Sequence, residues 1–216
     1  MSALLLLADG RFPAGGHAHS GGAEAAVKAG RIHDAESLAA FLTGRLHTAG
    51  LVAAALAAAA AAGGELTDLD RQADARTPSP AQRATSRRLG RQLLRAARAA
   101  WPHPALDRLH ALHPRGAHQP IVLGVTAHAA GLTPEQAAEL AAYESVNGPA
   151  TACVRLLGLD PYRVAAVLAR LGPQLAAVAA EAVDAARAGQ LPAASAPLLD
   201  IHAEQHASWK VRLFAS

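Results

Sequence analysis

An almost uninterrupted run of alanine, from Val52 to Ala62, is the feature that most restricts how this chain can fold. Alanine has the highest intrinsic helix propensity, and its single methyl group adds little to packing between neighbouring strands. The same bias extends over the whole chain, because 51% of the residues are apolar while only 3% are aromatic. The composition therefore predicts an all-α protein whose helices approach one another closely.

Glycine and proline divide the 216 residues into segments of helical pattern. Asp34 and Thr133 are each placed to cap a helix, and Thr133 is followed by Pro134 and Gln136, the pattern of a capping box. An arginine-rich helix begins near Ala81. We predict a single-domain bundle of about nine to eleven helices.

Prolines inside these segments predict helix ends. We expect separate helices over Pro134–Val146 and Pro149–Leu157, and again over Pro161–Leu171 and Pro173–Arg187. Residues 1–197 form the predicted helical domain, and residues 198–216 form a C-terminal tail that binds a partner.

Features of the chain that bear on its compartment favour a soluble, cytoplasmic protein. Cys153 has no second cysteine to pair with. The apolar run Ala3–Ala8 is too short for a signal peptide, and the uncharged stretch Thr48–Gly64 is shorter than the roughly 20 residues of a spanning helix. We therefore expect no membrane contact.

The small net charge of +3 conceals a concentration of basic residues. One segment carries six arginines and no acidic residue: Arg83, Arg87, Arg88, Arg91, Arg95 and Arg98. Such a stripe can bind nucleic acid or an acidic protein surface. Because the chain lacks interleaved aromatic residues for base stacking, an acidic protein partner is favoured and no nucleic acid is expected.

Eleven histidines raise the question of a metal site. His202 and His206 are four residues apart and share a helix face, whereas Glu204 between them points to the other side. His17 and His19 form a weaker pair in a glycine-rich loop. For both pairs the alternative is packing or partner contact, and we predict no resident metal or cofactor. Four further histidines match no standard site and are expected on the surface: His103, His110, His113 and His118.

Motifs of nucleophilic or nucleotide chemistry are missing from the sequence. It contains neither a Gly-x-Ser-x-Gly elbow nor a Gly-x4-Gly-Lys-Ser/Thr phosphate loop. Cys153 lies in an apolar helical context that is typical of a buried, inert thiol. We predict that the protein is not an enzyme and works by contact with other proteins.

Five motifs, in order along nearly the whole chain, resemble those of UreF urease accessory proteins. They are Arg11–Glu24, Arg83–Gly90, Val122–Gly124, Ser145–Leu159, and Pro197–His202 with Arg212–Ser216. The resemblance implies a helical homodimer that bridges UreD (also called UreH) and the GTPase UreG, and acts on apo-urease during nickel insertion. The chain departs from the family at Ala207 and Ala215, where the family often has Glu and Arg.

The tail is the strongest candidate contact site, because large apolar groups beside an arginine are typical interface anchors. Its candidate residues are Trp209, Arg212, Leu213 and Phe214, and the alternative is simple packing of the tail onto its own domain. Further candidates for partner contact are Phe12, Pro13, Gly15 and Gly16, in a loop whose glycines are expected at positive φ. Arg83, Ser86 and Arg91 are candidates as well, and for them the alternative is a solvated helix face. A competing hypothesis is a metallochaperone that carries nickel on His17, His19, His202 and His206.

Overall fold

The computed structural model describes residues 2–215, and this part of the chain contains helices and no β-strand. The α-helices are α1 (Ala3–Ala8), α2 (Ala23–Lys28), α3 (Ala35–Arg45), α4 (Leu51–Ala61), α5 (Leu66–Ala75), α6 (Pro80–Ala100), α7 (Pro104–Leu112), α8 (Gln119–Ala129), α9 (Pro134–Leu157), α10 (Pro161–Arg187) and α11 (Pro197–Ala207). A 3-10 turn covers Gly16–Ala18, and a π-helical turn, Leu46–Gly50, joins α3 to α4 without a break. The all-α prediction is confirmed. Residues 1 and 216, the ends of the predicted domain and tail, lie outside the described residues.

Local capping sets several helix starts. The Asp34 carboxylate accepts a hydrogen bond from the Ser37 backbone N–H at 2.8 Å. In return, the Ser37 hydroxyl oxygen accepts a hydrogen bond from the Asp34 backbone N–H at 3.0 Å. Thr133 and Gln136 form the same reciprocal pair at the start of α9. These bonds satisfy amides that have no partner within the helix. The predicted caps at Asp34 and Thr133 are confirmed.

The helix ends predicted at two prolines are wrong. Helix α9 continues through Pro149, and α10 continues through Pro173. Because Pro149 has no N–H, the Ser145 carbonyl one turn earlier loses its partner within the helix. The Arg45 Nε–H occupies that carbonyl at 2.8 Å, so a side chain from α3 replaces the missing bond.

The core is built around α4, which packs against α8, α9 and α10. Ala54, Ala55, Ala57 and Ala58 have no exposed surface. Helix α8 comes so close that a Cβ at Gly124 would lie 2.2 Å from the Ala57 carbonyl oxygen. The small side chains therefore allow the close helix approach that the composition predicted.

By length and composition alone, two helices could cross a membrane: the continuous helix Ala35–Ala61 and α10. The most apolar 18-residue stretch of each helix has a mean hydropathy of 1.3. Of that stretch, 44% is buried in Ala35–Ala61 and 28% in α10. Core helices of proteins outside membranes share this length and composition, so the property by itself carries no conclusion about a membrane.

Candidate partner-binding site

The C-terminal segment folds back onto the helical domain through one carboxylate. Glu24, in the first turn of α2, accepts hydrogen bonds from the backbone N–H of Leu213 at 2.7 Å and of Phe214 at 3.0 Å. Its Oε2 also lies 2.8 Å from Nε2 of His206. Burial alone would raise the pKa of Glu24, but the bonds from Leu213, His206 and Phe214 outweigh it and lower the pKa. The carboxylate is therefore held ionised against the tail.

Two aromatic side chains of the tail contact cations of the domain. The Phe214 ring is 5% exposed, and the Arg155 guanidinium lies 4.9 Å from its centre. The half-buried Trp209 ring has Lys28 Nζ at 3.8 Å from its centre and the His206 ring at 4.8 Å. Such cation–π contacts stabilise a docked aromatic ring. Phe214 and Trp209 are thus packed on their own domain.

Other tail side chains point outwards. Val211 is 87% exposed and Leu213 is 54% exposed, and Leu198 and Ile201 of α11 are each more than half exposed. Among residues 2–215, these make up four of the seven exposed large apolar side chains. Arg212 is exposed as well and borders a cavity of about 500 Å³. Exposed apolar side chains of this kind are candidates for contact with a partner.

The three polar candidates on α6 form bonds within their own chain. Arg83 donates to the carbonyls of Thr77 and Pro78 at 2.6 and 2.9 Å. Arg91 donates to the Arg115 carbonyl at 2.6 Å. The Ser86 hydroxyl oxygen accepts the Gln119 N–H at 3.1 Å. These contacts position α6 against the chain around it, and a role in partner contact stays a prediction.

The expectation that His118 lies on the surface is wrong, because its side chain is buried. Its Nε2 lies 2.8 Å from Asp74 Oδ1, and its Nδ1 lies 3.0 Å from Ser86 Oγ. Its backbone N–H donates to Asp70 at 2.8 Å, and Arg87 pairs with both aspartates. Burial lowers the pKa of His118 although Asp74 opposes that effect.

The Ser86–His118–Asp74 chain has the connectivity that activates a serine nucleophile. Here the Ser86 oxygen is already an acceptor for Gln119, and the imidazole is 1% exposed. We infer that this hydrogen-bonded series holds α5, α6 and the start of α8 together. One sequence feature could have revealed this cluster: Asp70 and Asp74 stand four residues apart, on one face of α5.

A cavity of about 500 Å³ is lined by residues of the N-terminal loop, α4, α6 and α11. His19, His118, His202 and His206 line it, whereas His17 is exposed and lies outside the lining. His202 Nε2 lies 2.5 Å from Arg31 Nη1, and His206 is bound to Glu24. Among the described residues, no three His, Cys, Asp or Glu side chains are grouped to hold a metal ion.

Burial lowers the pKa of two more of these cavity histidines and so disfavours their protonated form. It lowers the pKa of His19 to about 4, with a further contribution from Arg88. Burial and then Arg31 lower the pKa of His202.

The N-terminal candidate loop packs along α6. The Phe12 and Trp101 rings lie 5.7 Å apart, while Pro13 is exposed. Gly15 has φ of +81°, as expected for a turn glycine, and the Gln92 side chain fills the space where a Cβ would lie. The same expectation is wrong for Gly16, which does not have positive φ because it begins the 3-10 turn, where its carbonyl accepts the His19 N–H at 3.1 Å.

Fold and site together define a class of protein: an all-helical domain with a C-terminal segment docked through one side and exposing apolar side chains on the other. The sequence profile of the UreF family matches residues 32–172. The chain is 46% identical over 222 residues to the urease accessory protein UreF of Mycolicibacterium vanbaalenii. The values are 45% and 42% over 218 residues for the UreF proteins of Mycobacterium sp. (strain JLS) and Mycobacterium tuberculosis. Each alignment covers 100% of this chain and 99% of the relative. The chain belongs to the UreF family of urease accessory proteins.

Proposed function

We propose that this protein is a non-catalytic, cytoplasmic scaffold of urease maturation. It bridges a UreD-like accessory protein and the GTPase UreG while nickel is inserted into apo-urease. Membership in the UreF family supports the proposal at the level of urease maturation. The division of the tail into a docked side and an exposed side supports it at the level of contact.

The observation that carries the proposal is the exposure of four large apolar side chains on α11 and the tail: Leu198, Ile201, Val211 and Leu213. Burying a large apolar side chain in an interface stabilises a complex by about 1.5–3 kcal/mol. Since Glu24 and Phe214 already hold the segment, a partner binds it without first ordering it, which lowers the entropic cost of association. We assign this surface to the UreD-like partner.

Co-purification with a tagged UreD-like protein tests this assignment. Leu213→Asp should weaken binding about tenfold or more, because a charge would enter an apolar contact. Leu112→Asp on α7, at 43% exposure, is the matched control and should bind as the native chain does. Equal binding of both variants and the native protein would refute the assignment.

The bridging role is tested by a second co-purification experiment. UreG should co-purify with the tagged UreD-like protein only when this chain is co-expressed. If UreG is retained equally well without it, the scaffold proposal fails even where direct binding to the UreD-like protein is observed.

We also propose that the protein forms a homodimer through α10. Only 28% of the most apolar window of this helix is buried, and Tyr162 at its start is 86% exposed. Its outer face carries exposed alanines, among them Ala165, Ala169 and Ala176. Small residues let two helices approach closely, so a second α10 is the occupant that this face fits.

A further inference from the structure

Arg45, at the end of α3, is partly buried and lies at the wall of a cavity. Its Nε–H donates to the Ser145 carbonyl at 2.8 Å, and the residue lines the cavity of about 500 Å³. Gly21 makes room for the guanidinium, because a Cβ there would lie 3.3 Å from Arg45 Nη2 and 3.0 Å from Pro149. The side chain is thus seated between α3, α9 and the N-terminal loop.

The charge of Arg45 has no counter-ion in the part of the chain that the structure describes. None of the ion pairs between described residues includes Arg45. Burial lowers the pKa of its guanidinium to about 10, and no neighbouring carboxylate opposes that effect. Even a partly buried charge without a partner is costly, so such a site favours the binding of an anion.

The cavity as a whole is basic. Arg45, Arg76, Arg88 and Arg212 line it, against a single carboxylate, Asp200. That carboxylate is engaged, since it accepts bonds from the Ser79 N–H at 3.2 Å and from Gln82 Nε2 at 3.3 Å. Low-dielectric walls strengthen the field of such charges at the cavity centre.

We propose that this cavity binds a small oxyanion group, a carboxylate, carbonate or phosphate, on the guanidinium of Arg45. A planar guanidinium presents paired N–H donors that match two oxygens of such a group. Nε is engaged by Ser145, so the terminal nitrogens provide the donors. The source is either a free inorganic anion or the acidic side chain of a partner protein. The site stands independently of the scaffold proposed above.

Thermal unfolding and calorimetric titration of the full chain test the site. Sodium phosphate, bicarbonate and acetate are compared with chloride at matched ionic strength. At about 100 times its Kd, a bound anion should raise Tm by roughly 5 °C. Arg45→Gln, which keeps an N–H for Ser145, should abolish the rise, and Arg45→Lys should retain part of it.

Arg163→Gln on α10 is the control, because Arg163 is exposed and lies outside the cavity lining. It should respond to anions as the native protein does. A response to acetate alone, dependent on Arg45, supports the site and identifies a partner carboxylate as the source. A response to phosphate or bicarbonate supports it with an inorganic source.

Two results overturn the proposal: no anion-specific heat or Tm change in the native protein, or an equal change in Arg45→Gln. Circular dichroism confirms that each variant is folded. If Arg45→Gln does not fold, the native protein and Arg45→Lys still decide the matter, because Lys should bind more weakly than Arg.

Discussion

Glu24 connects the tail to the domain through three donors that are 182 to 190 residues distant in the chain. Hydrogen bonds to a charged acceptor contribute about 1.5–3 kcal/mol each, so its charge should matter more than its shape. We expect Glu24→Gln to lower the local stability of the tail by about 1–3 kcal/mol. Faster hydrogen exchange of the 208–215 segment would show this loss.

Glu36→Gln is the control for that experiment, because Glu36 is an exposed carboxylate in the first turn of α3. It should leave exchange in the tail unchanged. If Glu24→Gln also leaves it unchanged, the carboxylate does not hold the tail.

At the scale of elements, the contact between α4 and α8 depends on Gly124. A Cβ there would lie 2.2 Å from the Ala57 carbonyl and 2.7 Å from the Ala60 Cβ, and neither atom is the end of a flexible side chain. Gly124→Ala should therefore separate the two helices and cost about 1–3 kcal/mol, the usual range for overpacking. Urea denaturation measures the change.

Gly44→Ala in α3 makes the matched comparison. A Cβ at Gly44 would meet nothing within 4 Å, so the higher helix propensity of alanine should stabilise the protein by up to about 1 kcal/mol. Opposite signs for the two substitutions are expected. Equal effects would mean that backbone propensity, and not close helix contact, dominates at Gly124.

The stability of the whole molecule should depend on pH through Glu144. Burial raises the pKa of this carboxyl from 4.5 to about 7, although Gln119 opposes that effect. A raised folded-state pKa stabilises the native state below the unfolded value of 4.5, and that contribution is lost as pH rises through about 7. Glu144→Gln should thus stabilise the protein by about 1–3 kcal/mol near pH 8, with little gain near pH 5.

Denaturant curves at the two pH values test this, with Glu139→Gln, on the exposed face of α9, as the control. A gain for Glu144→Gln that is the same at both pH values would contradict a role for ionisation.

The oligomeric state also belongs to the whole molecule. Light scattering should give twice the chain mass of 22.0 kDa, and Ala169→Glu should shift the mass towards one chain because it places charge in the α10 contact. Ala99→Glu, at an exposed alanine of α6, should remain dimeric. A native protein of single-chain mass would refute the α10 dimer.

Whether a feature could be predicted from the sequence depends on the distance along the chain between the residues that interact. The caps at Asp34 and Thr133 could be predicted because each bond spans three residues. The continuity of α9 through Pro149 could not, because the group that replaces the lost bond, Arg45, lies 100 residues from Ser145. The burial of His118 likewise depends on Asp70, Asp74 and Ser86 of two other helices.

The sequence by itself determined the helical class, since alanine propensity and capping are properties of neighbouring residues. It also determined the family, because the motifs are read directly from the chain. Only the tertiary structure decided which tail residues face the domain and which face outwards, that Arg45 has no counter-ion among residues 2–215, and that four histidines line one cavity. These outcomes depend on burial and on pairings between distant residues, and neither has a local signature in the chain.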